Sequence, residues 1–493
     1  MSGVEVQNKT ISNLAWRFAE RCGAQGAAFL ASVVLARMLE PSDYGLISLV
    51  AVFTNILQVF VDGGLGNALI QKKDADDLDF STVFYCNIIV CGVLYAGLFA
   101  AAPAIAVFYD NLTLTAVVRV LGLTVVLSGI KNVQQAFVSR HLIFKRFFYA
   151  SLGGTIGSAV LGIYLAYRGF GVWALVVQQV SNTAVDTMIL WATVRWRPKK
   201  EFSFQRLKPL LSYGWKLLAS SLINTIYNDV RQLIIGKVYS SADLAFYNRG
   251  KQFPNLIVAN INTSIDSVLL PVLSNSQNDR ERVKNMTRRA IMTSSYILWP
   301  MMFGLMAVSG NVVRIVLTEK WMACVPYLCI FCFISGMEPI HTANLNAINA
   351  IGRSDIFLKL EIFKKSVGIL IILITMNISV FAIGMGSVVY TVFAGFVNAF
   401  PNRKLLHYPY MEQIRDILPS FLLSAFMALL IWKLPISHMD IGVRLFIQIL
   451  AGILVYLAGS WIFRLESFRY TKTTVLNFIK NRQEKNMDGD TGE

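Results

Sequence analysis

Leu35-Ala-Arg-Met-Leu-Glu-Pro-Ser-Asp-Tyr-Gly45 meets a counterpart much later in the chain, Ile235-Gly-Lys-Val-Tyr-Ser-Ser-Ala-Asp-Leu-Ala245. Arg37 matches Lys237, Asp43 matches Asp243 and Asn55 matches Asn255, all at one spacing. Each copy follows an apolar run long enough to cross a bilayer, and such runs recur from Ile11 to Phe463. A second match, Ser128-Gly129 before Arg146 against Ser335-Gly336 before Arg353, keeps nearly the same spacing. The pattern predicts an all-α polytopic membrane protein with about fourteen transmembrane helices. Two six-helix lobes, residues 1–203 and 204–406, form a parallel repeat, followed by two further helices over 407–465 and a tail over 466–493. Because each unit holds an even number of spans, the lobes share one orientation and relate through an axis along the membrane normal.

Composition agrees. Hydrophobic residues make up 55% and charged residues 15%, against roughly 45 to 50% and about 25% in soluble domains. The net charge of +16 sits in short loops beside the spans, which argues for orientation against anionic lipid and against nucleic-acid binding. Alternate breaks are basic: Lys72 and Lys73, then Arg140, Lys145 and Arg146, then the stretch from Arg195 to Lys208. The opposite breaks are nearly free of cations. The positive-inside rule therefore places both termini in the cytoplasm. A polar leader without a cleavage site predicts a retained first span, and the polar stretch from Asn481 to Glu493 is expected to be disordered. The six cysteines lack metal-ligand or disulfide spacing and read as packed thiols. No cofactor is expected.

The Pro41-Ser-Asp-Tyr-Gly45 turn, the Asp62-Gly-Gly-Leu-Gly66 end of the second span, the layout and the size resemble the Wzx-type polysaccharide flippases. These form part of the polysaccharide transporter family in the multidrug/oligosaccharidyl-lipid/polysaccharide (MOP) exporter superfamily, near the colanic acid and lipopolysaccharide exporters. The resemblance implies a multi-pass protein of the bacterial inner membrane that turns undecaprenyl-diphosphate-linked oligosaccharide toward the periplasm. It implies that lipid-linked oligosaccharide and membrane lipids are its partners, with a polysaccharide polymerase and a chain-length regulator as further candidates.

A charge at the centre of a membrane helix costs about 2.5 to 3.5 kcal/mol on insertion scales, so intramembrane charges need a wet cavity or a partner. Helical spacing puts Arg17, Arg21, Gln25, Ala28 and Ser32 on one face of the first span, and Lys216, Ser220, Asn224, Tyr227 and Arg231 on one face of the seventh. Guanidinium and ammonium groups can meet a diphosphate, while Gln, Asn and Tyr can bond sugar hydroxyls. The expected substrate cavity thus comprises Arg17, Arg21, Gln25, Lys216, Asn224, Tyr227, Arg231 and Arg249. For Arg17 and Lys216, snorkelling to the interface is the competing reading. In the eighth span Arg249, Asn260, Thr263 and Ser267 form one face, and Lys251, Asn255, Asn262 and Asp266 another. Such a helix lines a cavity on one side and a neighbour on the other. Asp229, on the far side of its span, reads as an inter-helix hydrogen-bonding group or a partner for Arg231. Candidates for ion coupling are Glu20, Asp62 and Asp266.

Weaker features carry bland expectations. Lys131, Glu338 and His341 fit gate contacts and helix-end solvation equally. Glu361, Lys364 and Lys365 read as a solvated helix end, and Asp74, Asp76, Asp77 and Asp79 as solvated helix caps rather than a metal cluster. Trp173, Trp196, Trp299 and Trp321 fit an interfacial aromatic belt. Two other classes are disfavoured. A drug/cation antiporter or lipid II flippase of the same superfamily is one, where a cation substrate would leave acidic residues dominating the cavity stripes; the other is a membrane enzyme, which would need an outward loop large enough for catalytic groups.

Overall fold

The computed structural model describes residues 23–473 except 63, 73, 142, 275, 277, 278, 436–438 and 471, and the backbone alone at 213, 216, 260, 262–268, 270–272 and 354. Arg17, Glu20, Arg21, Cys22 and the stretch from Asn481 to Glu493 lie outside the described residues. So do the side chains of Lys216, Asn260, Asn262, Thr263, Asp266 and Ser267.

Every regular element among the described residues is helical, as an all-α membrane protein requires. The first compact unit, Met1–Ala245, contains α1 (Gly23–Met38), α2 (Pro41–Asp62), α3 (Leu65–Gln71), α4 (Asp77–Phe108), α5 (Thr113–Arg140), α6 (Lys145–Tyr167), α7 (Val172–Thr193) and α8 (Phe204–Val238). Next comes α9 (Ser241–Ser274), which runs into the second unit, Phe246–Glu493. That unit continues with α10 (Arg280–Val316), a 3-10 turn at Glu319–Cys324, α11 (Val325–Gly336), α12 (Glu338–Ala350) and α13 (Ser354–Thr375). It ends with α14 (Val380–Ala399), α15 (Asn402–Leu405), α16 (Tyr410–Lys433) and α17 (Ile441–Ile462). Among the described residues, nine helical stretches are long and apolar enough to cross a membrane. Helices α7, α8, α9 and α13 stand where spans were expected but carry more polar and charged residues.

The repeated turn is built by local chemistry. Pro41 opens α2 without needing its missing N–H, and the Asp43 carboxylate accepts the Glu40 N–H at 3.3 Å. At the second copy the Asp243 carboxylate accepts the Ser240 N–H at 3.2 Å, while the Ser240 hydroxyl accepts the Asp243 N–H at 3.0 Å. The acid two residues after the helix start ties down the loop in both cases. The two turns also touch. A Cβ on Gly45 would stand 1.7 Å from the Ser241 carbonyl oxygen, so only glycine permits this approach.

From that contact α8 runs beside α2. Leu49 lies over Gly236, Asn55 Nδ2 donates to Asp229 at 3.2 Å, and Gly64 meets Gly214 backbone to backbone. The inter-helix reading of Asp229 matches this geometry, and Gln232 also donates to it at 2.9 Å. The repeat assigns α8 to the second lobe, yet through these close contacts it packs with the first compact unit.

Three expectations are corrected by burial. Trp196, Trp299 and Trp321 form no interfacial belt: all three are buried, with Trp321 and Trp299 0% and 1% exposed. Trp196 packs among Phe80, Phe84 and Phe137, and Trp299 fills the space that the absent side chain of Gly336 leaves. Each ring fills space between helices, where close packing supplies dispersion contacts. Lys364 is not a solvated helix end but buried, its ammonium donating to Glu361 one turn earlier. Asp79 does cap a helix, but it is fully buried.

Asp76 and Asp79 form a reciprocal capping box at the start of α4. The Asp79 N–H hydrogen bond holds the Asp76 carboxyl below the usual carboxylate range, so this cap stabilises above the ordinary Asp pKa and weakens as acid protonates it. Asp79 also pairs with Lys72 at 2.6 Å and Arg206 at 3.4 Å, while Asp77 pairs with Lys199 at 2.9 Å. The α3–α4 turn and the start of α4 thereby clasp the segment that leads into α8. Asp79→Ala leaves Lys72 and the Asp76 N–H without this acceptor, while Arg206 keeps Asp76 at 3.2 Å, and the expected destabilisation is about 1 to 3 kcal/mol, read as a lower thermal midpoint in detergent. Asp74→Ala, at a neighbouring exposed position, serves as the unaffected control.

In the second unit, α10 is the axis of the core. Arg288 forks onto Asp416 of α16 at 2.8 and 2.7 Å, and the Tyr408 hydroxyl donates to the same carboxylate at 2.7 Å. Burial, together with that hydrogen bond, pushes the Tyr408 phenol well above its usual range. Asn344, Asn402 and Gln413 close a buried amide network with contacts of 2.6 to 3.0 Å. Among the described residues no cysteine is in a disulfide, and Cys91, Cys324 and Cys332 are buried as expected.

Candidate functional site

Three helices of the first unit turn polar faces toward one another. On α2 the spacing Thr54, Gln58, Asp62 advances one turn at a time; on α5 it is Thr124, Ser128, Asn132, Gln135; on α7, Gln178, Asn182, Asp186. In a bilayer these side chains cannot face acyl chains without large cost, so they meet inside the helix bundle. The result is a polar seam with two clefts. One, of about 290 Å³, is lined by Thr54, Asn55, Gln58, Ser128, Gln178 and Asn182 among others. The second, of about 330 Å³, has Asp62, Asn67, Asn132 and Gln135 in its wall.

Charge in this seam is paired. Lys131 of α5 donates to Asp186 of α7 at 2.7 Å, both side chains being 15% exposed. Asp62 accepts from Gln58 at 3.0 Å and from Asn132 at 3.5 Å, and Asn87 donates to Asn132 at 3.2 Å. The close fit of this chain is visible at Gly66, where a Cβ would lie 2.7 Å from the Asn132 side-chain amide oxygen. Amides and hydroxyls arranged this way can bond water or sugar hydroxyls, and the Lys131–Asp186 pair supplies a local dipole in a low-dielectric setting. No group of three or more metal-ligating side chains occurs among the described residues.

The sequence-predicted site residues fall as follows. Gln25 of α1 and Asn224 of α8 have exposed side chains, while Tyr227 is buried beneath the Arg231 guanidinium at 5.5 Å. Arg249 of α9 is buried, stacks over the Trp321 indole at 5.2 Å and donates to Gln252. Asp62 joins the seam. Arg17, Arg21, Glu20 and the side chains of Lys216 and Asp266 lie outside the described residues. Of the ambiguous groups, Lys131 proves to be half of an ion pair within the helix bundle rather than a solvated end, and His341 shares a hydrogen bond with Asn398 at 3.1 Å. Sequence reasoning missed Asp186 and the whole α7 stripe. The signal was present in the one-turn spacing of Gln178, Asn182 and Asp186.

This all-helical architecture is shared with solved membrane transporters. The lipid II flippase MurJ in an inward closed conformation superposes with a TM-score of 0.75 at 15% identity, covering 91% of this chain and 98% of that one. An inward-facing multidrug resistance MATE family transporter of the MOP superfamily gives 0.60 at 16% identity over 78% and 94%.

The chain belongs to the polysaccharide biosynthesis protein family, whose model matches residues 34–326. Relatives include the teichuronic acid biosynthesis protein TuaB of Bacillus subtilis (strain 168), 28% identical over 82% of this chain and 85% of that protein. The lipopolysaccharide biosynthesis protein WzxC of Escherichia coli (strain K12) is 25% identical over 73% and 74%. The succinoglycan biosynthesis transport protein ExoT of Rhizobium meliloti (strain 1021) is 24% identical over 67% of each chain. The resemblance to the Wzx-type polysaccharide proteins is borne out by these matches, and the fold is the one seen in the MurJ and MATE structures.

Proposed function

We propose that this protein moves undecaprenyl-diphosphate-linked oligosaccharide repeat units across the bacterial inner membrane for surface polysaccharide assembly, without catalysing a covalent step. The observation that carries the reading is a polar, charge-bearing seam inside membrane-length helices of a chain from a polysaccharide biosynthesis family. An apolar barrier stops the sugar headgroup, and a hydrated internal path removes that barrier while the polyprenyl tail stays in lipid. Movement proceeds by alternating access of two six-helix lobes, residues 1–203 and 204–406, with both termini in the cytoplasm. Arg17, Arg21, Lys216, Arg231 and Arg249 meet the diphosphate, and Gln25, Asn224 and Tyr227 the sugars. Glu20, Asp62 and Asp266 are the candidates for coupling to an ion gradient. A polysaccharide polymerase and a chain-length regulator would receive the product.

The test replaces Arg17, Lys216 and Arg249 by Ala, one at a time, in cells whose glycan export depends on this protein. Each variant should reach the membrane at normal abundance while export falls about tenfold or more, the equivalent of roughly 1.4 kcal/mol in the rate-limiting step. Normal export in all three would refute the assignment of these cations to the substrate.

A further inference from the structure

At the end of α17 the chain turns through Arg464, whose φ of 49° is the left-handed conformation usually given to glycine. The Leu465 N–H closes the turn onto the Ser460 carbonyl at 3.1 Å. An arginine here forgoes the conformational ease that glycine would have. The segment beyond folds back on α10: the Ser467 hydroxyl donates to the Met292 carbonyl at 3.5 Å, and Leu465 and Phe468 join the apolar cluster around Tyr296 and Tyr456. Between this segment and α10 lies a cleft of about 400 Å³ with Arg289, Arg464 and Arg469 in its wall, together with Glu466. Arg289 rests over the Tyr470 ring at 5.5 Å. Among the described residues none of these three guanidinium groups has a carboxylate within ion-pair distance, so three cations face one another across a cavity that holds a single acid.

The level of the cleft is set by its neighbours. Trp461, Ile462 and Phe463, immediately before it, are 71%, 64% and 70% exposed, as lipid-facing residues are. α10 has 37 residues and so spans about 55 Å, well beyond a hydrocarbon core of about 30 Å. Its basic first turns, which include Arg289, therefore stand outside the hydrocarbon, at headgroup depth.

We propose that this cleft binds the phosphate of an anionic phospholipid from the adjoining leaflet and so pins the segment after α17 against α10. Three guanidinium groups offer forked donors to one phosphodiester, and the exposed apolar residues of α17 provide the surface along which the acyl chains lie. The inference is independent of the substrate proposed above.

Native mass spectrometry of the purified full-length protein with dioleoylphosphatidylglycerol, dioleoylphosphatidylcholine or inorganic phosphate tests it. The wild type should retain phosphatidylglycerol at least about tenfold more tightly than phosphatidylcholine, and Arg289→Gln/Arg464→Gln/Arg469→Gln should lose that preference. Arg464→Gly alone, which suits the left-handed turn and keeps the fold, should weaken it severalfold. Equal retention of both lipids by the wild type, an undiminished preference in both the triple variant and Arg464→Gly, or displacement of the lipid by millimolar inorganic phosphate, marking a site for free anions, would each overturn the proposal.

Discussion

Lys131→Ala is expected to lower the thermal midpoint of the detergent-solubilised protein sharply and to reduce glycan export about tenfold or more. The alanine leaves Asp186 charged at 15% exposure with its partner gone, and stranding one member of such a pair costs about 3 to 5 kcal/mol. The two consequences separate in a double variant. Lys131→Met with Asp186→Leu removes both charges and refills their volume, so stability should return to within about 1 kcal/mol of wild type, because a buried pair seldom outperforms well-packed apolar groups. Export should stay low, since the seam between α5 and α7 has then lost its polar centre. A double variant that exports normally would make the pair a packing device only, and the seam would lose its claim to lie on the path. Asp186→Asn offers a milder comparison: it preserves shape and hydrogen bonding while leaving Lys131 without a counter-charge.

The paired nature of Lys131 shows where the sequence was readable. The repeated turn was legible because its chemistry is local: Pro41, Asp43 and Gly45 each act within a few residues or at one predictable close approach. Helical spacing predicts polar stripes on the first span and on α8, and the same spacing stands on α7 with two uncharged members, Gln178 and Asn182, which give it a weaker sequence signal. The Lys131–Asp186 contact depends on how α5 packs against α7, which single-helix periodicity does not encode. Tryptophans failed for a different reason. A Trp near a span end has the same local signature whether it faces headgroups or the bundle, and only the vacancy at Gly336 decides it for Trp299. Lys364 was misplaced although its partner Glu361 stands one turn away on the same helix, because ion pairing and burial of that face come from α13 packing rather than from charge count. Asp79 was placed correctly as a cap, but its cations Lys72 and Arg206 approach from opposite directions in sequence.

Gly45→Val should separate the two repeated turns, because Gly45 makes the closest backbone approach of the described glycines in the first unit. The first added carbon would sit 1.7 Å from the Ser241 carbonyl oxygen and 2.3 Å from its carbon, well inside contact distance, and neither atom belongs to a side chain that can rotate away. The start of α2 must therefore retreat from the start of α9 by more than an ångström. Overpacking of an ordinary core position costs about 1 to 3 kcal/mol, and a clash with fixed backbone lies at or above the upper end. Gly236→Ala is the informative contrast. Its Cβ meets the Leu49 side chain at 2.1 Å, and a leucine can change rotamer, so the effect should be smaller. In a background with the native cysteines replaced, Leu49→Cys reports on the α2–α8 contact directly, because Leu49 lies over Gly236 and is 3% exposed. A membrane-impermeant maleimide should label that cysteine slowly in the parent and about tenfold faster with Gly45→Val, a shift of roughly 1.4 kcal/mol toward the open contact. Under the alternating access proposed above, export should fall in parallel, since such a carrier needs this contact to close as well as to open. Unchanged labelling together with normal export would show that the glycine approach at the turns does not seal α2 against α8.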